Sequence, residues 1–412
     1  MRILLLTPAL PYPPHQGGAL RNHGLLHTLA DAGHDVTLLS FHDNTTPVEG
    51  TPLPRLCAGV FTVAPPVRRI RHRLRDLITS DKPDLARRLD SSAFADKLRT
   101  LLNTNRFDLI QFEGLEMAIY LPIVRALQPG ARTVYDAHNA EYALQAAIAR
   151  VESHKLSRAP AAVYSQIQAR RIARFEREVC RQADAVIAVS DEDADQLRAF
   201  RADQTIFVVP NGIFVDDYAD TPAAALDLGA NALVFTGKMD YRPNVDAMQW
   251  FVSAILPRIR AGVPDAKLYI VGQKPHASLQ SFDAEQVAVT GWVEQVQPFL
   301  YAAAVYVAPL RMGSGTRLKL LEAMGAGRAI VATSAAAAGL HDDARDAMCI
   351  ADDDAAFADA VIRLLNNPAE RHRLGDGGRN AARQHYDWSA LAPRLFDAYR
   401  ALGVLPVSSV TR

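Results

Sequence analysis

With 412 residues, the chain is too long for one ordinary core and fits two domains of near-typical size. Just under half the residues are hydrophobic, and 45 basic residues balance 45 acidic ones, so no global field draws the protein to nucleic acid. Cys57, Cys180 and Cys349 are few, odd in number and far apart, which excludes a disulfide framework or zinc site and suits a reducing, cytoplasmic setting.

The opening "MRILLLTPAL" is too short for a signal peptide and reads as a buried strand from Ile3 to Thr7. Nowhere does an apolar run reach the roughly 20 residues of a membrane span. A helix follows from Ala19 to Ala32 with Leu20, Leu25, Leu26 and Leu29 on one face, and Gly33 ends it. Strands are then predicted at "HDVTLLSF", "VFTVA", "FDLIQFEG", "TVYDAHN", "DAVIAVS" and "IFVVPNG".

Turn residues Pro210, Asn211 and Gly212 and a loose polar stretch mark a boundary. A second alternation begins at "ALVFTGKM", with a helix from Val245 to Ala261. Strands at "AKLYIVGQ" and "VAVTGWV" follow, then a helix through Phe299 to Ala303 and strands at "VYVAPL" and "RAIVATS". Two successive α/β, Rossmann-like halves with parallel sheets result. The expected domains are 1–215, 216–385, and a terminal helix with tail over 386–412. In that helix Trp388, Leu391, Leu395 and Tyr399 form an apolar face that needs a partner. The Asp352–Asp354 run reads as a solvated helix start, not a metal cluster.

Four stretches could carry chemistry. "PLRMGSGTRLKLLEAMGAG" (Pro309–Gly327) turns from a small-residue loop into a helix, with Thr316 as the expected N-cap. Gly313, Ser314 and Gly315 let a ligand approach the backbone. First-turn N–H groups with Arg317 and Lys319 make an anion site, and Glu322 is a carboxylate suited to a ribose diol. A capped helix with surface cations gives the same pattern. Gly17 and Gly18, with Arg21 one turn later, lie in the first strand-to-helix loop, where a turn needing positive φ would also ask for glycine. The spacing is not that of a dinucleotide fingerprint. "YDAHNAEY" sets Asp136, His138 and Asn139 at a strand end, where polar groups line ligand sites. "FTGKMDYRPN" repeats the design with Gly237 and Lys238; a solvated lysine is the plainer reading.

"VRRIRHRLRDLI" (Val67–Ile78) reads as a basic amphipathic helix. Val67, Ile70, Leu74, Leu77 and Ile78 make one stripe among five arginines. Such a helix suits an anionic membrane surface, or simply packs on its own domain.

The blocks "GGALRN", "DAHNAEY", "AVIAVSDED", "VVPNGI", "FTGKMDYRPN", "TGWV" and "PLRMGSGTRLKLLEAMGAGRAIVAT" together resemble family 4 glycosyltransferases of the GT-B fold, spanning nearly the whole chain in order. The branch most similar is that of bacterial exopolysaccharide and exosortase-associated clusters. The resemblance implies two Rossmann-like domains facing a central cleft, with the terminal helix crossing back to the first. It implies a retaining, metal-independent hexosyltransferase with no cofactor, moving a sugar from a UDP- or GDP-linked donor to a saccharide or lipid-linked acceptor hydroxyl. The enzyme would be cytoplasmic or peripheral on the inner membrane face. By position, Glu322 matches the second Glu of the family's Glu-x7-Glu pattern, which holds the ribose. Lys238 matches the cation that meets the diphosphate, Gly17 and Gly18 the loop facing it, and His138 the histidine near the reacting centre. Arg317 joins His138 and Lys238 as a catalytic candidate. Two positions depart from the pattern: its first Glu falls on Ser314, and a second basic residue falls on Pro243. A nucleotide-sugar epimerase of the same fold and a non-catalytic nucleotide-sugar-binding protein are the alternatives.

Overall fold

The computed structural model describes residues 1–14, 17–43, 47–146, 159–201, 205–218, 226–312 and 315–405, with side chains at all of these except 70, 71, 74 and 159–163. The chain divides into two compact units, Met1–Pro210 with Ala392–Arg412, and Asn211–Leu391.

The first unit is built on seven strands: β1 Arg2–Thr7, β2 Asp35–Phe41, β3 Gly59–Val63, β4 Leu109–Glu113, β5 Arg132–Ala137, β6 Ala185–Ala188 and β7 Ile206–Val208. All pair in parallel in the order β3-β2-β1-β4-β5-β6-β7. Parallel strands covered on both faces must be apolar throughout, and Ile3 to Leu6 are accordingly buried as a continuous run. The order reverses between β1 and β4. In such sheets the crevice beyond the strands' C-terminal ends at that point receives ligands. The first helix, Gly17–Asp31, leaves from the end of β1, and β4 ends in Glu113.

The second unit repeats the plan on six strands: β8 Ala232–Thr236, β9 Lys267–Val271, β10 Val287–Gly291, β11 Val305–Ala308, β12 Ile330–Ala332 and β13 Cys349–Ile350. Their order is β10-β9-β8-β11-β12-β13, again parallel, with the reversal between β8 and β11. Lys238 follows β8, and the loop to helix Leu318–Gly325 follows β11. Strand β13 is two residues long, inside the short run "AMCIA" between acidic stretches, too brief to be announced as a strand.

Three local features differ from the sequence reading. Helix Leu318–Gly325 takes Arg317, not Thr316, as its N-cap, with no side chain capping it. Thr316 is instead buried, and its carbonyl accepts the Asn211 Nδ2–H at 3.3 Å. The arginine-rich helix runs Ile70–Thr79, so Val67 precedes it. Val67 and Ile78 are 84% and 87% exposed instead of joining one packed stripe. Arg68 turns inward to pair with Asp76 at 2.6 Å and Asp84 at 2.5 Å, because two buried or half-buried carboxylates need a cation. No helix among the described residues is long and apolar enough to cross a membrane.

The terminal helix, Trp388–Ala401, buries Trp388, Leu391, Leu395 and Tyr399, the face expected from its spacing.

Candidate functional site

In the first unit, polar groups gather at the C-terminal edge of β4 and β5. Glu113 and Asp136 stand opposite each other in register, both fully buried. Arg21, 1% exposed, reaches Asp136 from the first helix: Nη2 lies 2.8 Å from Oδ1 and Nε 3.0 Å from Oδ2. Its Nη1 donates to the carbonyls of Val209 at 3.0 Å and Pro210 at 3.2 Å. Burial lifts the Asp136 carboxyl to about 6, against the opposing pull of the Arg21 charge. Arg21 and Asp136, named from sequence as donor and acceptor ligands, are thus committed to each other.

His138, half-buried, bonds through Nε2 to Glu113 Oε2 at 3.2 Å. Burial alone would lower its pKa, but the Glu113 bond and the charges of Asp136 and Glu113 overcome this and raise it. A Cβ at Gly18 would meet His138 Cε1 at 3.8 Å and Nδ1 at 3.9 Å, so the ring's other edge faces the glycine turn. Gly17 opens the helix beside it. Asn139 Nδ2 donates to Glu141 Oε1 at 3.3 Å.

The turn after His138 is pinned from below. Asp193 Oδ1 accepts the Ala140 N–H at 2.9 Å, and Glu176 accepts those of Glu141 at 3.1 Å and Tyr142 at 2.8 Å. Burial carries the Glu176 carboxyl up to about 8.

In the second unit, Asn244 ties the Lys319 amine to the backbone of Lys238. Its Nδ2 donates to the Lys238 carbonyl at 2.8 Å, and its Oδ1 accepts from Lys319 Nζ at 2.7 Å. The Lys319 ammonium lies 4.1 Å from the Phe235 ring centroid. A Cβ at Gly237 would stand 2.8 Å from Lys319 Nζ, so the amine rests against bare backbone. Burial, with the Arg317 charge adding to it, brings Lys319 down to about 7. Glu322 accepts from Tyr218 Oη at 3.2 Å, and burial lifts its carboxyl to about 7. Lys238 is largely solvated and lies 3.5 Å from Asp240. Gly315 adopts φ 78°, a left-handed turn that leads the chain into Arg317 and the uncapped helix start. Gly313 and Ser314 lie outside the described residues.

The chain matches the model described as Glycosyltransferase Family 4 over residues 16–217 and the one described as Glycosyl transferases group 1 over residues 230–367. The chain belongs to glycosyltransferase family 4. This family 4 member is 34% identical to phosphatidyl-myo-inositol mannosyltransferase of Mycobacterium leprae over 226 residues. That match covers 52% of this chain and 59% of the relative, so the chain spans well under two thirds of the mannosyltransferase's length. Its fold is that of sucrose-phosphate synthase from Thermosynechococcus elongatus (TM-score 0.73, 20% identity, 98% of this chain and 99% of the other). It is also that of Anabaena HepE in complex with UDP (TM-score 0.64, 14% identity, 97% and 100%).

Among the described residues of the glycosyltransferase, two clusters have metal-ligand composition. Glu113, Asp136 and His138 present atoms within 4.8 Å of one another. Asp136 already holds the Arg21 guanidinium and Glu113 already accepts from Gln111, so a cation would have to displace donors in place. His341, Asp343 and His385 form the other. Its rings stack 3.8 Å apart and 16° from parallel, and both turn a nitrogen to Asp343 Oδ2, His341 Nδ1 at 3.5 Å and His385 Nε2 at 2.7 Å, so the carboxylate already holds both imidazoles.

Sequence reasoning missed Glu113, Asn244 and Tyr218. Glu113 left a signal, a carboxylate closing the apolar strand "DLIQFE"; the other two are tied to their sites only by tertiary contact.

Proposed function

We propose that the chain transfers a hexosyl group from a UDP- or GDP-linked sugar to an acceptor hydroxyl, with retention of configuration and without a metal. The observation that carries this reading is Lys319 held by Asn244, which also fixes the backbone of Lys238 where the second sheet reverses, with Glu322 on the helix of Lys319 and paired to Tyr218. A diphosphate calls for cations and helix-start N–H groups, and a ribose diol for a carboxylate. The Anabaena protein of this fold holds UDP, and the M. leprae relative is named for mannosyl transfer to phosphatidyl-myo-inositol. Both fit a nucleotide-sugar donor and a saccharide or lipid-linked acceptor.

In this mechanism the bond from the anomeric carbon to the diphosphate oxygen breaks, and the electron pair leaves with the phosphate. Lys238, Lys319, Arg317 and the N–H groups around Gly315 stabilise the growing charge. The acceptor oxygen bonds to the anomeric carbon on the same face. Its proton passes to the departing phosphate or to His138, which orients the hydroxyl.

Lys238→Ala and Arg317→Ala should each lower turnover with the true donor by a barrier increase of about 2.7–4 kcal/mol. Unchanged turnover in both would overturn the mechanism. Donor incubated alone separates the other chemistries: an epimeric sugar would identify an isomerase. Tight donor binding without transfer across acceptors would identify a binding protein.

The reading extends to the cell surface polysaccharides and glycolipids built at the inner face of the cytoplasmic membrane. Exposed Val67 and Ile78 flank exposed Arg69, Arg73 and Arg75, a surface suited to anionic lipid. Replacing these three arginines with Gln should abolish co-sedimentation with phosphatidylglycerol vesicles; unchanged sedimentation would remove the membrane from the proposal.

A further inference from the structure

Beneath His138 runs a buried chain of hydrogen bonds that the transfer mechanism above does not use. Tyr399 Oη donates to Gln111 Oε1 at 2.6 Å, and Gln111 Nε2 donates to Glu113 Oε1 at 2.7 Å. Glu113 Oε2 faces His138 Nε2 at 3.2 Å. The Asn22 amide is satisfied with its nitrogen 2.8 Å from the same Oε2 and 3.3 Å from the Gly18 carbonyl. Tyr399, Gln111 and Glu113 are fully buried, and Asn22 nearly so.

We propose that Glu113 is the positioning residue for His138, holding it as the Nε2–H tautomer with Nδ1 as the working nitrogen, and that Tyr399 of the terminal helix completes the same relay. The inference rests on the glycosyltransferase reading for its use, but its geometry stands apart from it.

The polarity of the chain follows from the chemistry of its members. A carboxylate only accepts, so Gln111 must turn its nitrogen to Glu113 and its oxygen to Tyr399, whose hydroxyl must then donate. By the same logic Nε2 of His138 carries the proton it shares with Glu113. Nδ1 is left with its lone pair, on the ring edge that faces Gly18. At that position any larger residue would bring a Cβ into contact with the ring, whereas glycine leaves the edge open to a hydroxyl. Nδ1 therefore accepts the hydrogen of an acceptor hydroxyl in the neutral ring and holds it in the imidazolium. Around the ring stand Glu113 of β4, Asp136 of β5, Arg21 of the first helix and Glu141 of the following turn. The carboxylates favour the imidazolium and Arg21 opposes it.

The test is 15N NMR of the full-length chain labelled at histidine, with the His138 signal assigned by its loss in His138→Gln. The expected spectrum shows the Nε2–H tautomer in the neutral ring. Glu113→Gln should mix the tautomers and lower the His138 midpoint, and Tyr399→Phe should move both in the same direction by less. In transfer assays Glu113→Gln should lower kcat roughly 100-fold with KM for the donor unchanged, and Glu113→Asp should restore part of it. An Nδ1–H tautomer in the wild type overturns the proposal, as does a midpoint that neither substitution moves. If Glu113→Gln does not fold, the wild-type tautomer and Tyr399→Phe decide. The spectra need no substrate, so a chain with the expected tautomer that transfers no sugar would sink the glycosyltransferase reading and leave the relay standing.

Discussion

Arg21 and Asp136, 115 residues apart in the chain, form a fully buried two-pronged ion pair whose cation also holds two backbone carbonyls. Removing one partner strands the other in a medium that solvates charge poorly. Arg21→Met should cost about 3–5 kcal/mol in urea denaturation at pH 7. Asp136 already has a raised pKa in the folded state, so its favourable contribution is complete at acid pH and fades as pH rises through about 6. Without Arg21 the carboxyl shifts further up. The deficit should therefore shrink at pH 5, and a deficit independent of pH would contradict the pairing.

Lys319 is held near 7, so at pH 8 the empty site carries it mostly as the neutral amine. A diphosphate raises that value by charge attraction, and binding must then take up a proton. Calorimetry of UDP and GDP binding in two buffers of different ionisation heat should show proton uptake at pH 8. Affinity should fall as pH rises above 7, and Lys319→Met should lose both effects.

Tyr218 gives Glu322 a hydrogen bond that holds its carboxyl lower than burial alone would. Tyr218→Phe should weaken nucleoside diphosphate binding by about 1 kcal/mol, roughly fivefold. Inorganic pyrophosphate, which has no ribose, should bind unchanged. Equal losses for both ligands would show that Glu322 does not meet the sugar of the nucleotide.

Gly272, at the end of β9, adopts φ 150°, and a Cβ there would fall 1.7 Å from the Gly237 carbonyl oxygen. Gly272→Ala should lose more than about 4 kcal/mol in thermal unfolding, since neighbouring backbone must move. Gly33, with φ 75° and no atom within 4 Å of a Cβ, is the control, and its Ala variant should lose only about 1–2 kcal/mol. Similar losses at both would mean that the close backbone approach does not matter.

Twelve strands were legible because buried parallel strands are unbroken apolar runs between turn residues, and "MRILLLT" or "DAVIAVS" reads no other way. The candidate cations and Glu322 were legible for a similar reason, since a glycine-rich loop entering a helix is a local pattern. What tunes these groups is not local. Tyr218 meets Glu322 across 104 residues, Asn244 meets Lys319 across 75, and Tyr399 meets Gln111 across 288. Tyr399 fitted the apolar stripe of the terminal helix so well that its hydroxyl passed unread. The cap falls on Arg317, one residue further on, and the Thr316 carbonyl accepts from Asn211, a contact across 105 residues that no helix-start rule contains. Just ahead of the arginine-rich helix, two aspartates 8 and 16 residues from Arg68 redirected a residue that periodicity assigned to the surface.

Because the first unit is completed by Ala392–Arg412 while the second is one continuous stretch, synthesis and folding cannot proceed in the same order. A nascent chain leaving the ribosome holds a first sheet whose Gln111 lacks Tyr399 until the segment from Ala392 to Tyr399 emerges, after the whole second unit. The second unit can finish while the first still waits. A chain released before residue 392 would carry the whole second unit while Gln111 of the first still lacked its Tyr399 partner.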